Sequence, residues 1–334
     1  MTAKRKIGPF EAKAIGLGCM SLSHAYGTPP DRERASRLLH RALDLGYDLL
    51  DTAALYGFGA NESLIGATLV DRRSEYRLAS KCGMTGVNGQ RVIDGRPQTL
   101  RQTLESALVR LKTEVIDLYY LHRWDKTVPI EESIGEMARF VAEGKVLTLG
   151  LSEVSADTLR RAHAVHPIAA VQNEYSPWSR NVELGVLEAT RELGSALVCF
   201  APTARGFLTG GIRNADGLEE KDLRRAMPRF QGDNLRRNLH LYERFEDIAR
   251  DVGCTPAQLS LAWVIARGDH VLAIPGTTSL QHLEENLAAL EIELSPETVR
   301  AIEDLFRPEA VAGARYGDAT LAEIDTEEFT IQRG

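Results

Sequence analysis

The sequence predicts an α/β protein that folds as a single (β/α)8 TIM barrel. Two observations predict this fold: eight short apolar runs alternate with amphipathic segments over about 290 residues, and no intervening stretch has the composition of a linker. The whole chain, residues 1–334, is therefore predicted to form one domain. Its content of 43% hydrophobic and 26% charged residues is typical of a soluble globular protein.

The eight apolar runs are interpreted as buried parallel strands, because each is short and bounded by turn-forming residues. Apolar residues spaced three and four apart predict the helices between them. Polar caps such as Asp31, Asn61 and Ser155 mark helix starts, and glycines such as Gly46 and Gly253 mark helix ends. The predicted strands are 14–22, 47–52, 76–81, 116–122, 146–152, 169–174, 196–201 and 271–275, and the predicted helices include 34–45, 100–111, 238–251, 256–266 and 296–306.

A doubly wound parallel sheet is the alternative architecture, because alternation of strands and helices alone does not separate it from a barrel. The glycine pairs Gly16/Gly18 and Gly57/Gly59 are incomplete matches to the Gly-x-Gly-x-x-Gly sequence that opens a helix in dinucleotide-binding sheets. The eightfold alternation therefore favours the barrel.

Two regions interrupt the alternation of strands and helices. An arginine-rich insertion at about 206–236 follows the seventh predicted strand, and a polar, acidic tail at 307–334 follows the last predicted helix. The tail either folds over the mouth of the barrel or stays solvated. The acidic run at 325–328 makes the solvated tail the simpler interpretation.

Charge and composition restrict the partners of this chain. A net charge of −7 argues against nucleic acid, and no apolar run approaches the roughly 20 residues that cross a bilayer. The four cysteines lie far apart, without a Cys-x-x-Cys pair, which predicts a reduced, cytoplasmic protein. No metal is expected, because there is no His-Glu-x-x-His sequence, and His163 and His166 have no third ligand near them in the sequence. The oligomeric state is left open.

Four reactive side chains follow or end three consecutive predicted strands. Asp51, Lys81 and His122 stand at the strand ends, and Tyr56 follows Asp51 in the same loop. Because catalytic groups of barrels collect at the carboxyl ends of strands, these four side chains should meet. A lysine ammonium beside a tyrosine lowers the pKa of the phenol, and a histidine can orient a substrate carbonyl. The set predicts proton delivery to a carbonyl oxygen.

A second interpretation makes Lys81 the Schiff-base nucleophile of an aldolase-like barrel. Such a lysine must be neutral, whereas a nearby Asp51 stabilises the ammonium. Carbonyl reduction is therefore the preferred interpretation.

The chain resembles the aldo-keto reductases, particularly their soluble bacterial and plant branch. The family signature Asp-Thr-Ala-x-x-Tyr-Gly stands at 51–57, and Glu-Gly-Lys-x-x-x-x-Gly-Leu-Ser-Glu stands at 143–153. The resemblance runs from about residue 6 to 305. It implies NADPH, with NADH as the alternative, reducing an aldehyde or ketone reversibly by direct hydride transfer. It also implies that Tyr56 is the general acid, tuned by Lys81 and Asp51, with His122 positioning the carbonyl.

The resemblance further implies which residues bind the cofactor. Ser152 and Gln172 match residues that bind the nicotinamide carboxamide, Phe200 matches the stacking aromatic, and Glu153 replaces an asparagine that is frequent in the family. Two loops, 205–210 and 274–279, match the phosphate-binding segments. The implied cofactor residues are Ser152, Gln172, Phe200, Arg205, Gly206, Leu208, Gly276, Thr277, Thr278, His282, Glu285 and Asn286.

The 2′-phosphate of NADPH would lie near Thr278 and His282, where many relatives carry lysine or arginine. The substrate, a small carbonyl or alcohol compound, would contact Met20, Trp124 and Trp178. Some relatives sense the cofactor as channel subunits, which makes a binding role the third candidate function. The few residues that precede the predicted barrel do not resemble a gating segment.

Overall fold

The computed structural model describes residues 4–214 and 216–329, and twelve strands and eleven α-helices lie within them. The strands are β1 (Lys4–Ile7), β2 (Phe10–Lys13), β3 (Leu17–Gly18), β4 (Leu49–Asp51), β5 (Arg77–Cys82), β6 (Met84–Val87), β7 (Gln90–Ile93), β8 (Ile116–Leu121), β9 (Val146–Ser152), β10 (Ile168–Glu174), β11 (Ala196–Phe200) and β12 (Val271–Ala273). The helices are α1 (Arg32–Asp44), α2 (Ala60–Leu69), α3 (Pro97–Leu111), α4 (Ile130–Ala142), α5 (Ala156–Val165), α6 (Val186–Leu193), α7 (Gly232–Val252), α8 (Pro256–Ile265), α9 (Leu280–Ala288), α10 (Pro296–Leu305) and α11 (Asp318–Glu323).

Eight parallel strands form one curled sheet in the order β3-β4-β5-β8-β9-β10-β11-β12. Backbone hydrogen bonds join its two ends: Ala273 N donates to the Ala14 carbonyl at 2.8 Å, and Gly16 N donates to the Ala273 carbonyl at 2.9 Å. The sheet therefore closes on itself, and the predicted barrel is confirmed.

The hairpin β1–β2 closes the amino end of the barrel. Ile7, Phe10 and Ala12 pack with residues that fill the barrel interior, including Leu118 and Val198. The helices cover the outside of the sheet, where a second, larger apolar cluster lies. The hairpin covers this end of the barrel, and the opposite end, at the carboxyl ends of the strands, is where barrel enzymes place their ligand sites.

Two local features differ from the predicted elements. Residues 84–93 form the hairpin β6–β7, whose Asn88-Gly89 turn has positive φ at both residues. Asn-Gly is a strong hairpin signal, and the predicted elements do not include this hairpin. Asn61, predicted as a helix cap, lies buried inside α2 instead, and Gly59 caps that helix. The Asn61 amide donates to the Cys19 carbonyl at 2.8 Å and accepts from the Thr52 hydroxyl at 2.6 Å, so it ties two barrel strands to the helix.

The tail packs against the carboxyl side of the barrel, so its interpretation as a solvated segment is wrong for its described part. Asp325 accepts hydrogen bonds from the Ser155 backbone and hydroxyl, and Glu327 accepts one from Ala156 N at 2.8 Å. These carboxylates sit at the amino end of α5, where unpaired backbone amides favour negative charge. No helix among residues 4–214 and 216–329 is long and apolar enough to cross a membrane.

Candidate active site

A cavity of about 610 Å³ opens at the carboxyl ends of the barrel strands. This volume is in the range of small-molecule and cofactor sites. The cavity collects side chains that are far apart in the sequence. The predicted site residues that line it are Met20, Asp51, Tyr56, His122, Ser152, Gln172, Phe200, Arg205, Gly206, Gly276, Thr277, Thr278 and His282.

Lys81 lies fully buried behind the cavity wall and joins the predicted proton-delivering residues. Its ammonium forms an ion pair with Asp51, donates to the Thr52 carbonyl at 2.8 Å and donates to the Tyr56 hydroxyl at 3.3 Å. All three N–H groups of the ammonium are thus used. The second Asp51 oxygen accepts from the Gln172 amide at 2.7 Å, so both carboxylate oxygens have partners.

Burial and charge act in opposite directions on these groups. Burial alone lowers the pKa of Lys81, but Asp51 and Tyr56 outweigh it and leave the pKa above its usual value, so the ammonium stays charged. Burial also raises the pKa of Tyr56, and Lys81 only partly offsets that rise. We predicted that the lysine contribution would lower this pKa; that contribution is present, but burial is larger and the net direction is upward.

His122 is a neutral imidazole in this environment. Burial lowers its pKa well below the usual value, and the positive charges of Lys81, Arg123 and Arg91 lower it further. Its ring lies edge-on to the Tyr56 ring, with 5.9 Å between centroids. Its Nδ1 atom is buried without a hydrogen-bond partner among the described residues.

The residues matched to nicotinamide binding lie on neighbouring strand ends, although two of them have partners within the protein. The Gln172 amide nitrogen is used by Asp51, and the Ser152 hydroxyl accepts from Arg123 Nη1 at 3.3 Å. Phe200 is half-buried and lines the cavity, with an aromatic face available for stacking.

The first of the two loops matched to phosphate binding has a strained backbone. Arg205 and Gly206 have φ of +57° and +83°, in the left-handed region that arginine rarely adopts. The Arg205 guanidinium does not point freely into the cavity, because it donates to Glu174 at 2.7 Å and to the Tyr316 hydroxyl at 2.6 Å. For phosphate binding, this loop therefore offers its backbone amides, whereas its arginine is already paired.

The second loop follows β12 and leads into α9. Ser279 caps this helix by accepting from His282 N, and Thr277 Oγ1 accepts from Ser279 N at 3.0 Å. A Cβ atom at Gly276 would lie 3.1 Å from the Gly18 carbonyl oxygen. Because glycine has no side chain, the backbone after β12 can approach the end of β3 this closely.

Five predicted contact residues lie outside the cavity lining: Leu208, Glu285, Asn286, Trp124 and Trp178. Trp178 is buried against Phe207, with 4.0 Å between ring centroids, and against Phe230. The Trp124 indole N–H donates to the Val128 carbonyl at 2.9 Å. Glu285 accepts a hydrogen bond from the Thr255 hydroxyl at 2.6 Å.

Sequence reasoning missed several cavity residues, which come from loops, from the hairpin β6–β7 and from the tail. They are chiefly Tyr26, Arg91, Arg123, Arg224 and Tyr316. Arg123 directly follows His122 and could have been found from that position. Arg91 lies on β7 of the hairpin, and Tyr26 lies in the loop before α1. Arg224 and Tyr316 depend on long-range folding of the insertion and the tail, for which the sequence carries no local signal.

A buried charge network holds the tail against the cavity. Arg315 is 1% exposed at its side chain and contacts Glu153 and Glu328 at 3.3 Å and Glu174 at 3.8 Å. Glu153 also accepts from Glu174 N at 2.8 Å. Burial alone raises the pKa of Glu174, but the guanidinium groups of Arg205 and Arg315 outweigh it and contribute to a pKa of about 2. Glu153, which replaces an asparagine that is frequent in the family, is thus an anchor for the tail.

Comparisons with known proteins agree with this architecture. Residues 14–307 match the model of the Aldo/keto reductase family. The chain is 44% identical over 319 residues to aldo-keto reductase yakc [NADP(+)] of Schizosaccharomyces pombe, covering 93% of this chain and 94% of that protein. The chain belongs to the Aldo/keto reductase family, and the resemblance inferred from its motifs is confirmed.

Two solved structures are similar over nearly the whole chain. Glycerol dehydrogenase AKR11B4 from Gluconobacter oxydans has a TM-score of 0.85 at 26% identity, covering 94% of this chain and 98% of that one. An aldo/keto reductase from Klebsiella pneumoniae in complex with NADP and acetate has a TM-score of 0.70 at 26% identity, covering 95% and 99%. Family membership makes this chain an oxidoreductase of the carbonyl-reducing class.

Replacing Arg315 by methionine should destabilise the protein by about 3–5 kcal/mol, because Glu153 would stay buried without its countercharge. Urea unfolding would measure the free energy, and protease digestion would report release of the tail. Arg300→Met, which removes an exposed arginine paired with Glu297, is the control and should cost less than about 1 kcal/mol. Equal losses in both variants would contradict the role of Glu153 and Arg315 as an anchor.

Proposed function

We propose that this protein reduces aldehyde or ketone carbonyls with NADPH, with Tyr56 as the general acid. The observation that carries this proposal is the Lys81 ammonium, which bridges Asp51 and the Tyr56 hydroxyl at the cavity wall. A fixed positive charge beside a phenol stabilises the phenolate that is left after proton donation.

Each residue has a separate task in the proposed reaction. Reduced nicotinamide, when bound, supplies the hydride that the carbonyl carbon accepts. Tyr56 gives its proton to the carbonyl oxygen, and Lys81 stabilises the resulting phenolate. His122 is neutral and donates a ring N–H to the same oxygen, so that the carbonyl is held beside the Tyr56 hydroxyl. In the reverse direction the Tyr56 phenolate takes the proton of the alcohol.

The residues around the cavity fit a nicotinamide dinucleotide. Phe200 offers an aromatic face, and the left-handed backbone at Gly206 and the loop from Gly276 to Thr278 leave backbone groups accessible to a diphosphate. The Ser279-capped amino end of α9 lies beside them and favours negative charge.

Two relatives, and one arginine that is not among the predicted cofactor residues, support NADPH over NADH as the cofactor. The relative from Schizosaccharomyces pombe is named for NADP(+), and the Klebsiella pneumoniae structure contains NADP. In this chain, Arg34 of α1 reaches the second phosphate-matched loop, donating from Nη2 to the Thr278 carbonyl at 3.3 Å. Arg34 can therefore pair with a 2′-phosphate beside Thr278 and His282, replacing the lysine or arginine that relatives carry in the loop.

The aldolase-like alternative loses support from the same geometry. A Schiff base needs a neutral amine, whereas Asp51 and Tyr56 raise the pKa of Lys81 and keep it charged. The ammonium is also enclosed, because its side chain has no exposed surface.

Tyr56→Phe should lower kcat for aldehyde reduction by roughly 10²- to 10⁴-fold, because the general acid is removed, while the Kd for NADPH should stay within about threefold. Loss of cofactor absorbance gives the rate, and fluorescence titration gives the Kd. The control is Tyr119→Phe, which removes a buried hydroxyl that has no partner among the described residues. Equal activity of Tyr56→Phe and wild type would exclude Tyr56 as the acid, and absence of wild-type turnover despite tight NADPH binding would favour the sensing role.

The pH dependence of reduction follows from the shifted pKa values of Tyr56 and His122. Tyrosine must be protonated to donate, so a raised pKa moves the loss of reductase activity to higher pH, above about 10. The lowered pKa of His122 keeps the imidazole neutral through the physiological range. We therefore expect kcat/KM for reduction to be flat from about pH 6 to 9. An inflection near pH 6.5 that disappears in His122→Gln would show that the imidazolium acts instead.

Arg34→Gln should weaken NADPH binding by roughly tenfold while leaving the Kd for NADH nearly unchanged, since only NADPH carries the 2′-phosphate. Fluorescence titration with both cofactors measures the two constants. Arg37→Gln is the matched control, because Arg37 lies one turn further along α1 and pairs with Glu33. A parallel loss for both cofactors in Arg34→Gln would argue against a contact with the 2′-phosphate.

A further inference from the structure

The charged side chains that line the cavity are strongly biased toward positive charge. Among the described lining residues, Asp51 is the one carboxylate, and both of its oxygens are used by Lys81 and Gln172. Four arginines line the same cavity: Arg91, Arg123, Arg205 and Arg224. A cavity with this charge distribution favours anionic ligands.

Three of these arginines have carboxylate partners inside the protein. Arg205 pairs with Glu174, and Arg224 pairs with Asp222. Both flank the first phosphate-matched loop, since Arg224 Nη1 also donates to the Arg205 carbonyl at 3.0 Å. Arg91 pairs with Glu323 of the tail helix α11.

Arg123 differs from the other three. Among the described residues, ion pairs within 4.0 Å are found for Arg91, Arg205 and Arg224, but none involves Arg123. Its Nη1 donates to the His122 carbonyl at 2.8 Å and to the Ser152 hydroxyl at 3.3 Å, which fixes the plane of the group. Its Nε is buried without a hydrogen-bond partner among the described residues. An oriented, half-buried guanidinium with unused N–H groups is suited to bind a carboxylate.

The position of Arg123 indicates that the carboxylate it binds belongs to the substrate and not to the cofactor. Arg123 follows His122, the residue proposed to hold the reacting carbonyl, and lines the cavity beside Tyr56. The cofactor phosphates are proposed to lie at the Gly206 and Thr277 loops. The nicotinamide carboxamide, proposed near Ser152, carries no charge.

We propose that Arg123 makes this site selective for carbonyl compounds that carry a carboxylate a few bonds from the carbonyl, that is, for short oxo acids. This inference rests on the proposed reductase function and adds its substrate class. In the reaction the carbonyl carbon gains the hydride of the reduced nicotinamide and the carbonyl oxygen gains the Tyr56 proton. The carboxylate is unchanged, so the product is a hydroxy acid and the cofactor is oxidised.

The test compares an oxo acid with its neutral ester. Succinic semialdehyde and methyl 4-oxobutanoate are reduced by wild type, Arg123→Gln, Arg123→Lys and the exposed control Arg300→Gln, and kcat/KM is measured for each pair. We expect wild type to prefer the acid. Arg123→Gln should lose roughly tenfold or more on the acid and less than about threefold on the ester. Arg123→Lys should keep part of the preference, and Arg300→Gln should keep all of it.

Several outcomes would overturn the inference. One is a wild-type protein without preference for the acid. Another is an equal loss on acid and ester in Arg123→Gln together with a higher Kd for NADPH, which would make Arg123 a cofactor-positioning residue acting through Ser152. If the protein prefers glyceraldehyde 3-phosphate to glyceraldehyde and shows no preference for the carboxylate, its substrate class would be phosphorylated carbonyl compounds and not oxo acids. Wild type that turns over neither acid nor ester but reduces other aldehydes would overturn this inference alone. Absence of turnover with every aldehyde tested would overturn the reductase function, and this inference with it.

A measurement on the wild-type protein covers the case in which Arg123→Gln does not fold. The product analogue 4-hydroxybutanoate should inhibit reduction of the ester competitively, and at least tenfold more strongly than its methyl ester does. Equal inhibition by the two compounds would contradict a carboxylate contact.

Discussion

The charge of Lys81 is the constraint on which the cavity wall depends. A fully buried ammonium is stable only when its hydrogen bonds are complete and a countercharge is close. Asp51, the Thr52 carbonyl and the Tyr56 hydroxyl meet this requirement together. The lysine stands on β5 and its partners stand on or just after β4, so the pairing of these two strands sets the distance between the ammonium and the phenol.

The neighbouring interactions hold these partners in place. Asn61 fixes Thr52 from the side of α2, and Gln172 fixes the second oxygen of Asp51 from the opposite wall of the barrel. Two partners of the Lys81 ammonium, Asp51 and Thr52, are therefore held in place before any ligand binds. Preorganised charge of this kind lowers the free-energy cost of forming a phenolate during the reaction, because the surroundings need not rearrange.

The sequence was most informative where function depends on strand ends. Asp51, Lys81 and His122 could be predicted to meet, because a parallel barrel brings the ends of consecutive strands to one side. Trp178 could not be placed in this way, because its packing against Phe207 and Phe230 depends on how the insertion folds back. The packing of the tail could not be predicted either, since an acidic segment has the same composition whether it is solvated or lies at the amino end of α5. The direction of the Tyr56 pKa required the extent of burial, which the sequence does not give.

The arrangement of buried charge also explains how one cavity can serve two ligands. On the side of the phosphate-matched loop, Arg205 and Arg315 are neutralised by Glu153 and Glu174, so this part of the mouth is rigid and holds the tail. On the side of His122, Arg123 is held in orientation by neutral acceptors that leave its charge uncompensated. A paired guanidinium contributes mainly to stability, whereas an oriented and unpaired one can contribute its charge to a ligand. The same residue type therefore stabilises the fold on one side of the cavity and is available for recognition on the other.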